Sequence, residues 1–413
     1  MEKLKVGFVG AGFIAQFQAK AMLQARNMEL SGLLARKGAE ALSGWAREHD
    51  LGPATIYKSV SEMAKHVDTI AIYSPNYTRI EIMEEVVSAK RAGGRVRNVI
   101  CDKPLGRNMK EARRLVELAE GANLNTAYFE NQIHMKAVQT QLTQLAPVQK
   151  AMGPMVLTRS AEEHAGPHMP WFWNPMEQGG GVLSDMGCHS IAVGWYALTP
   201  VGKNPTFLKP QSVSCELGLL KWGQPKWRDE LLKKHGVDYS KTPAEDFATG
   251  MVTFKNPETH QKVKAQFTDS WMFEKQGLRL FMDGMGPGYA FEINTLTSPL
   301  NIFIGDQAAQ AIADQESALE KATASRGLLS VQTNEADLYG YVDENRDAAE
   351  KFLRGQDALL NFSYGLEITR LVMAAYMSSE RKQVVDLTDA STCQELENYI
   401  PLIQQGRGAE VLF

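Results

Sequence analysis

The sequence predicts an α/β protein of two domains: a doubly wound dinucleotide-binding domain over residues 1–129, then an α/β domain over residues 130–413 with a large, mostly antiparallel open sheet. Three observations predict it. An apolar run, Val6-Gly7-Phe8-Val9, breaks into closely spaced glycines at Gly10 and Gly12 and resumes as a helix-patterned segment. Short apolar runs then alternate with helical segments as far as Phe129, as a parallel sheet with crossover helices requires. From about Ser212 the pattern changes to long strands without helices between them. A chain of 413 residues also exceeds the usual size of one hydrophobic core.

In the first domain, Leu4, Val6, Phe8 and Val9 supply a buried strand and Gly10 lets the backbone turn tightly. Gly12 removes the side chain that would hold a pyrophosphate away from the helix N-terminus. The free N–H groups of the first helical turn, at Phe13, Ile14 and Ala15, and the helix dipole favour an anion there. The helix runs from Phe13 to Arg26, and a strand from Leu30 to Leu34 completes a βαβ unit. At its carboxyl end stand Arg36 and Lys37, where an NAD-specific site would place an acid; a guanidinium there stacks on adenine or pairs with a 2′-phosphate, so the cofactor is read as NAD or NADP.

The next strand, Thr69 to Tyr73, ends in Ser74-Pro75-Asn76 at the edge where a doubly wound sheet meets its ligand. A helix over 79–92 leads to a strand, Val96 to Cys101, that ends in Asp102-Lys103-Pro104-Leu105. A lysine at such a strand end, next to the expected nicotinamide, is a candidate both for chemistry and for cofactor binding, and the proline after it restricts where the ammonium points. A helix, Met109 to Glu120, and a strand, Asn125 to Phe129, close the domain.

Beyond it, Gly153 to Ser160 reads as a turn and a strand, and residues 162–175 as a loop carrying Glu162, Glu163, His164, His168, Trp171 and Trp173. Aromatic faces suit the apolar faces of sugar rings and the polar groups suit hydroxyls, so Glu163, His164, Trp171 and Trp173 are read as substrate-binding. His164 and His168 have ligand-like spacing, but Gly166 and Pro167 break any helix between them and no metal is expected. Gly179-Gly180-Gly181 permits close backbone approach. After it, Asp185 and His189 lie four apart on one helical face, an acid placed to orient an imidazole acting as general base. Long strands follow over 213–220, 246–254, 262–271 and 278–283, interrupted by a charged excursion at 222–243. Residues 307–326 read as a polar helix or flap. Helices over 341–353 and 364–379 then precede a last strand at 384–387.

A net charge of −4 without a basic cluster argues against nucleic-acid partners, and no apolar run is long enough to span a bilayer. The first strand begins within a few residues of Met1, so no signal peptide is expected. Cys101, Cys188, Cys215 and Cys393 are scattered like buried thiols, so a cytoplasmic location is expected.

Taken in order, Gly10-x-Gly12-x-x-Ala15, Ser74-Pro75-Asn76, Asp102-Lys103-Pro104-Leu105, Gly179-Gly180-Gly181-x-Leu183-x-Asp185-x-Gly187-x-His189 and Glu245-Asp246-Phe247-Ala248 resemble the Gfo/Idh/MocA family of oxidoreductases. The resemblance implies an N-terminal Rossmann domain, an open sheet that supports homo-oligomers (dimer or tetramer), a cis peptide at Lys103-Pro104, and catalytic roles for Lys103, Asp185 and His189. It departs from the family pattern at Asp102, where glutamate is usual, and at Arg79, where many members have histidine. The expected reaction is NAD(P)-dependent oxidation of a secondary hydroxyl, at C3, of a sugar, glycoside or cyclitol. The alternative is an NAD-dependent glycoside hydrolase that oxidises C3 transiently, eliminates the aglycone, adds water and returns the hydride, with Glu162, Glu163 or His164 as an extra base. A cofactor-sensing regulator without turnover is disfavoured by Lys103, Asp185 and His189 occurring together.

Overall fold

A computed structural model describes residues 3–275, 277–297, 301–304, 327–330 and 334–413, so the segment expected as a polar helix at 307–326 lies outside the described residues. The chain divides into two compact units. The first comprises Met1–Lys136 and Ala336–Arg370, and the second Ala137–Glu335 and Leu371–Phe413. The first unit thus runs a few residues past the expected break at 129 and takes back a segment from near the C-terminus.

In the first unit, strands β1 (Leu4–Val9), β2 (Met28–Leu34), β3 (Thr55–Ile56), β4 (Thr69–Ile72), β5 (Asn98–Asp102) and β6 (Asn125–Phe129) form a parallel sheet in the order β3-β2-β1-β4-β5-β6. This is the Rossmann arrangement, whose strand order reverses between β1 and β4. Strands covered on both faces have no use for alternation, which is why β4 is buried along its whole length. The returning segment closes the β6 side: Ala358 N–H donates to Thr126 O (3.1 Å), Tyr128 N–H to Leu360 O (2.8 Å) and Thr126 N–H to Asp357 Oδ1 (2.6 Å). An edge that would otherwise offer bare peptide groups is thereby paired.

In the second unit, β7 (Leu157–Glu163), β8 (Lys209–Gly218), β9 (Phe247–Lys255), β10 (Lys262–Ser270), β11 (Arg279–Gly286) and β12 (Tyr289–Asn294) join a short strand, Val385–Asp386, in the order β12-β11-β7-β10-β9-β8-(385–386). Every pairing is antiparallel except β7 with β10, which is parallel. Thr158, Ser160 and Glu162 alternate onto the buried face of β7, beneath the helix Cys188–Leu198, where Thr158 Oγ1 donates to Gly194 O (3.1 Å). The charged excursion contains the helix Pro225–His235, and Asp246 holds its entry by accepting the N–H groups of Leu220, Lys221 and Trp222. Glu162 and Glu163, expected in a loop, are the last two residues of β7, because the β10 and β11 ladders both run to that end.

Candidate active site

The nucleotide turn sits at the carboxyl edge of β1. Gly10 has φ +117°, and a Cβ there would lie 2.7 Å from Tyr73 O, so this glycine is required by the fold itself. Gly12 differs: a Cβ built on it meets nothing within 4 Å. The protein gains no packing from that glycine, whereas a phosphate approaching the helix Phe13–Met22 does need the space. No side chain caps that helix at Gly12, and Ala15 is fully buried against the sheet. Phe13 is half-exposed and stacks on Phe17 with ring centroids 5.8 Å apart, while Ile14 packs against the core. The residues present therefore fit a dinucleotide. Gly12→Ala is expected to leave the melting temperature of the cofactor-free protein within about 2 °C of the native value. It should raise the NAD dissociation constant about tenfold or more, as read by calorimetry; equal affinity in the two proteins would remove Gly12 from the cofactor site.

Arg36 and Lys37, just past β2, are both exposed. At the end of β4, Ser74 Oγ and Thr78 Oγ1 lie 2.7 Å apart, Thr78 Oγ1 donates to Pro75 O (2.8 Å), and buried Asn76 opens a 3₁₀ turn. One strand over, the Lys103-Pro104 peptide is cis. Arg79, buried at the start of the helix Arg79–Arg91, donates to the carbonyls of Pro104 and Lys103, so its guanidinium clamps the turn that carries the lysine. This accounts for the departure at position 79: an arginine reaches two carbonyls at once. Glu130, directly after β6 and fully buried, is pushed up to about 8 by burial, with the charge of Lys103 pulling the other way. Sequence reading gave Glu130 no role.

The second unit presents Asp185 and His189. The segment Leu183–Gly187 is a π-turn that passes into the α-helix Cys188–Leu198, and both side chains are buried, 2% and 4% exposed. Such widened turns recur at functional sites because they re-aim side chains. Glu245 anchors the turn. Its carboxylate accepts the N–H of Gly181 (2.9 and 3.0 Å), the N–H of Leu183 (3.0 Å) and the hydroxyl of Tyr376 (2.6 Å), while its carbonyl accepts Val182 N–H (3.0 Å). The Tyr376 oxygen in turn accepts Ser184 N–H (3.2 Å). Gly180 and Gly181 are glycines for this reason: a Cβ on either would overlap Tyr376 Oη or the Glu245 carbonyl oxygen.

Around that helix, Glu162 Oε2 lies 4.0 Å from His189 Nε2, and Ser190 Oγ donates to Asp269 Oδ1 (2.6 Å). Glu163, one residue on, turns to the other face and pairs with Arg279. His164 is 1% exposed, and its Nδ1 accepts Gly166 N–H (2.9 Å), which places the proton of the neutral ring on Nε2. Trp171 is half-buried and stacks on Phe172 at 3.9 Å. Trp173, read from sequence as a sugar platform, is corrected to a core residue: it is 1% exposed, its Nε1 donates to Pro167 O (2.9 Å), and Trp222, Trp271 and Tyr239 meet its ring edge-on.

A family model described as "Oxidoreductase family, NAD-binding Rossmann fold" matches residues 4–128, and a second, "GFO/IDH/MocA C-terminal domain", matches residues 148–285. An uncharacterised protein of Saccharomyces cerevisiae is 28% identical over 205 residues, 47% of this chain and 55% of its own. The glucose-6-phosphate 3-dehydrogenase of Bacillus subtilis is 23% identical over 197 residues, 46% of this chain and 53% of its own. The chain thus spans about half the length of the curated relatives it matches. Among solved structures, GenD2 from gentamicin A biosynthesis, in complex with NAD, superposes with a TM-score of 0.71 at 20% identity, over 94% of this chain and 97% of that one, a likeness of fold. No helix among the described residues is long and apolar enough to cross a membrane. The two family matches together cover well over half of the chain, and the protein belongs to the Gfo/Idh/MocA family of NAD-binding oxidoreductases.

Proposed function

We propose that the protein oxidises a secondary hydroxyl, at C3, of a sugar, glycoside or cyclitol. The observation that carries the reading is the buried Asp185/His189 pair on a turn that Glu245 and Tyr376 lock in place. His189 takes the hydroxyl proton as general base, Lys103 hydrogen-bonds the same oxygen and favours the developing alkoxide, and Asp185 orients the substrate or the imidazole. A nicotinamide dinucleotide, which the turn at residues 10–15 and Ser74-Pro75-Asn76 would hold, would supply the two-electron oxidant for the carbon-bound hydride. His164 and Trp171 are assigned to the substrate, whereas Glu163, paired with Arg279 on the other face of the strand, is not. The choice of C3 is supported by the name of the Bacillus subtilis relative. Arg36 and Lys37, with no acid beside them at the end of β2, support use of NADP as well as NAD. A cytoplasmic homo-oligomer, dimer or tetramer, completes the reading, the assembly to be measured by light scattering.

The test is incubation of purified protein with NAD or NADP and a panel of glucosides, sugar phosphates, polyols and inositols, following absorbance of reduced cofactor and locating the new carbonyl by NMR. Reduced cofactor formed in step with a 3-keto product supports the proposal. Aglycone released without net reduction would replace it with NAD-dependent glycoside hydrolysis, for which Glu162 beside His189 offers a second base.

A further inference from the structure

Glu162 and Asp269 are directly opposite in the parallel ladder of β7 and β10, and both are buried, 5% and 0% exposed. They meet consecutive residues of the overlying helix: Glu162 faces His189 at 4.0 Å, and Asp269 accepts from Ser190 at 2.6 Å. Two carboxyl groups this close behind a candidate general base are costly to bury unless they serve it. We infer that Glu162 is the positioning residue of His189, its carboxylate aligning the imidazole and stabilising the imidazolium that forms when the ring takes the alcohol proton.

The inference rests on the dehydrogenase reading. There the hydroxyl proton moves to His189 while the carbon-bound hydride leaves for the nicotinamide, so one positive charge appears on the ring as the carbonyl forms. That charge lies within 4.0 Å of a buried carboxylate. The neighbouring acids support the assignment. Burial drives Asp269 well above the usual carboxylate range, its hydrogen bond from Ser190 opposing and the charges of Glu162 and Glu163 adding to the rise. That rise disfavours a second negative charge beside Glu162. Asp185 lies on the π-turn just before the helix of His189, whereas Glu163 is spent on Arg279 across the sheet.

The test compares native protein with Glu162→Gln and Glu162→Asp in two measurements. The first is the pH profile of kcat/KM. The second is the NMR titration of the His189 ring in cofactor-free protein, with His189→Asn providing the assignment. Removing the carboxylate destabilises the imidazolium, so in Glu162→Gln both the acidic limb and the ring midpoint move to lower pH by about one unit, a tenfold change in proton affinity. Glu162→Asp keeps the charge but withdraws it by one methylene, so both move the same way by less. Should Glu162→Gln not fold, the aspartate variant carries the comparison. A ring midpoint unchanged in the variants that fold overturns the inference. If the ring shifts but no sugar is oxidised, the dehydrogenase reading fails and the Glu162–His189 pairing stands.

Discussion

Lys103→Ala is expected to lower kcat/KM for sugar oxidation about a thousandfold while leaving the melting temperature close to native. The argument starts from the turn. Lys103 follows the last residue of β5, and the guanidinium of Arg79 holds the carbonyl of the cis peptide and the one after it. The backbone is thus positioned independently of the lysine side chain, which is only half-buried, so truncation removes an ammonium without leaving a cavity in the core. The lost group would hydrogen-bond an oxygen that gains negative charge only as the hydride leaves, so the deficit should fall on kcat rather than KM. On the proposed reading, His189→Ala should cost a similar factor, and the double variant little more than either single change, because two groups that would act on one proton transfer are not additive. Steady-state kinetics with the preferred sugar decide the point. Strictly multiplicative losses would mean that the lysine and the histidine serve different steps.

What could be read in advance follows from how local each feature is. Gly10, Gly12 and the β1 run are legible because a tight turn with positive φ and an open helix end are properties of adjacent residues. The Lys103-Pro104 turn is legible for the same reason. Glu162 and Glu163 are harder: the run of histidines, prolines and tryptophans after them reads as a loop, and only the distant β10 and β11 ladders keep them in a strand. Once they are there, the two-residue period of the strand sends Glu162 toward His189 and Glu163 toward Arg279, a distinction that no local pattern carries. Trp173 fails for a related reason. Its neighbours Trp222, Tyr239 and Trp271 come from far along the chain, so an aromatic suited to a sugar is enclosed by other aromatics. The return of Gly340 beside Asn131, where Asn131 Nδ2 donates to Tyr339 O (2.7 Å), is likewise fixed by partners some two hundred residues apart.

Glu245→Ala should destabilise the protein by about 3 kcal/mol and abolish turnover, although Glu245 is assigned no contact with substrate. Its carboxylate gathers two backbone N–H groups and the Tyr376 hydroxyl in a fully buried setting, and truncation would leave those donors in the core without acceptors. Each such loss costs about 1–3 kcal/mol, and a shared network does not sum them in full. Activity falls with stability because these bonds tie the residues immediately before Asp185, so the π-turn loses its register. Glu245→Gln separates charge from shape. Burial pushes Glu245 up to about 7, the Tyr376 hydroxyl and backbone N–H donors opposing the rise. Between the unfolded value near 4.5 and 7, the native state therefore holds a proton that the unfolded chain has released. Stability from this group is complete below pH 4.5 and falls as pH rises through 7. The native protein should accordingly melt at a lower temperature at pH 8 than at pH 5. Other raised carboxyls, Glu130 and Asp269 among them, contribute in the same direction. In Glu245→Gln the decline is shallower by this group's share, and the difference between the two melting curves across pH isolates it. A difference that does not vary from pH 5 to 8 would show that Glu245 is ionised throughout and that its donors, rather than its burial, set its charge.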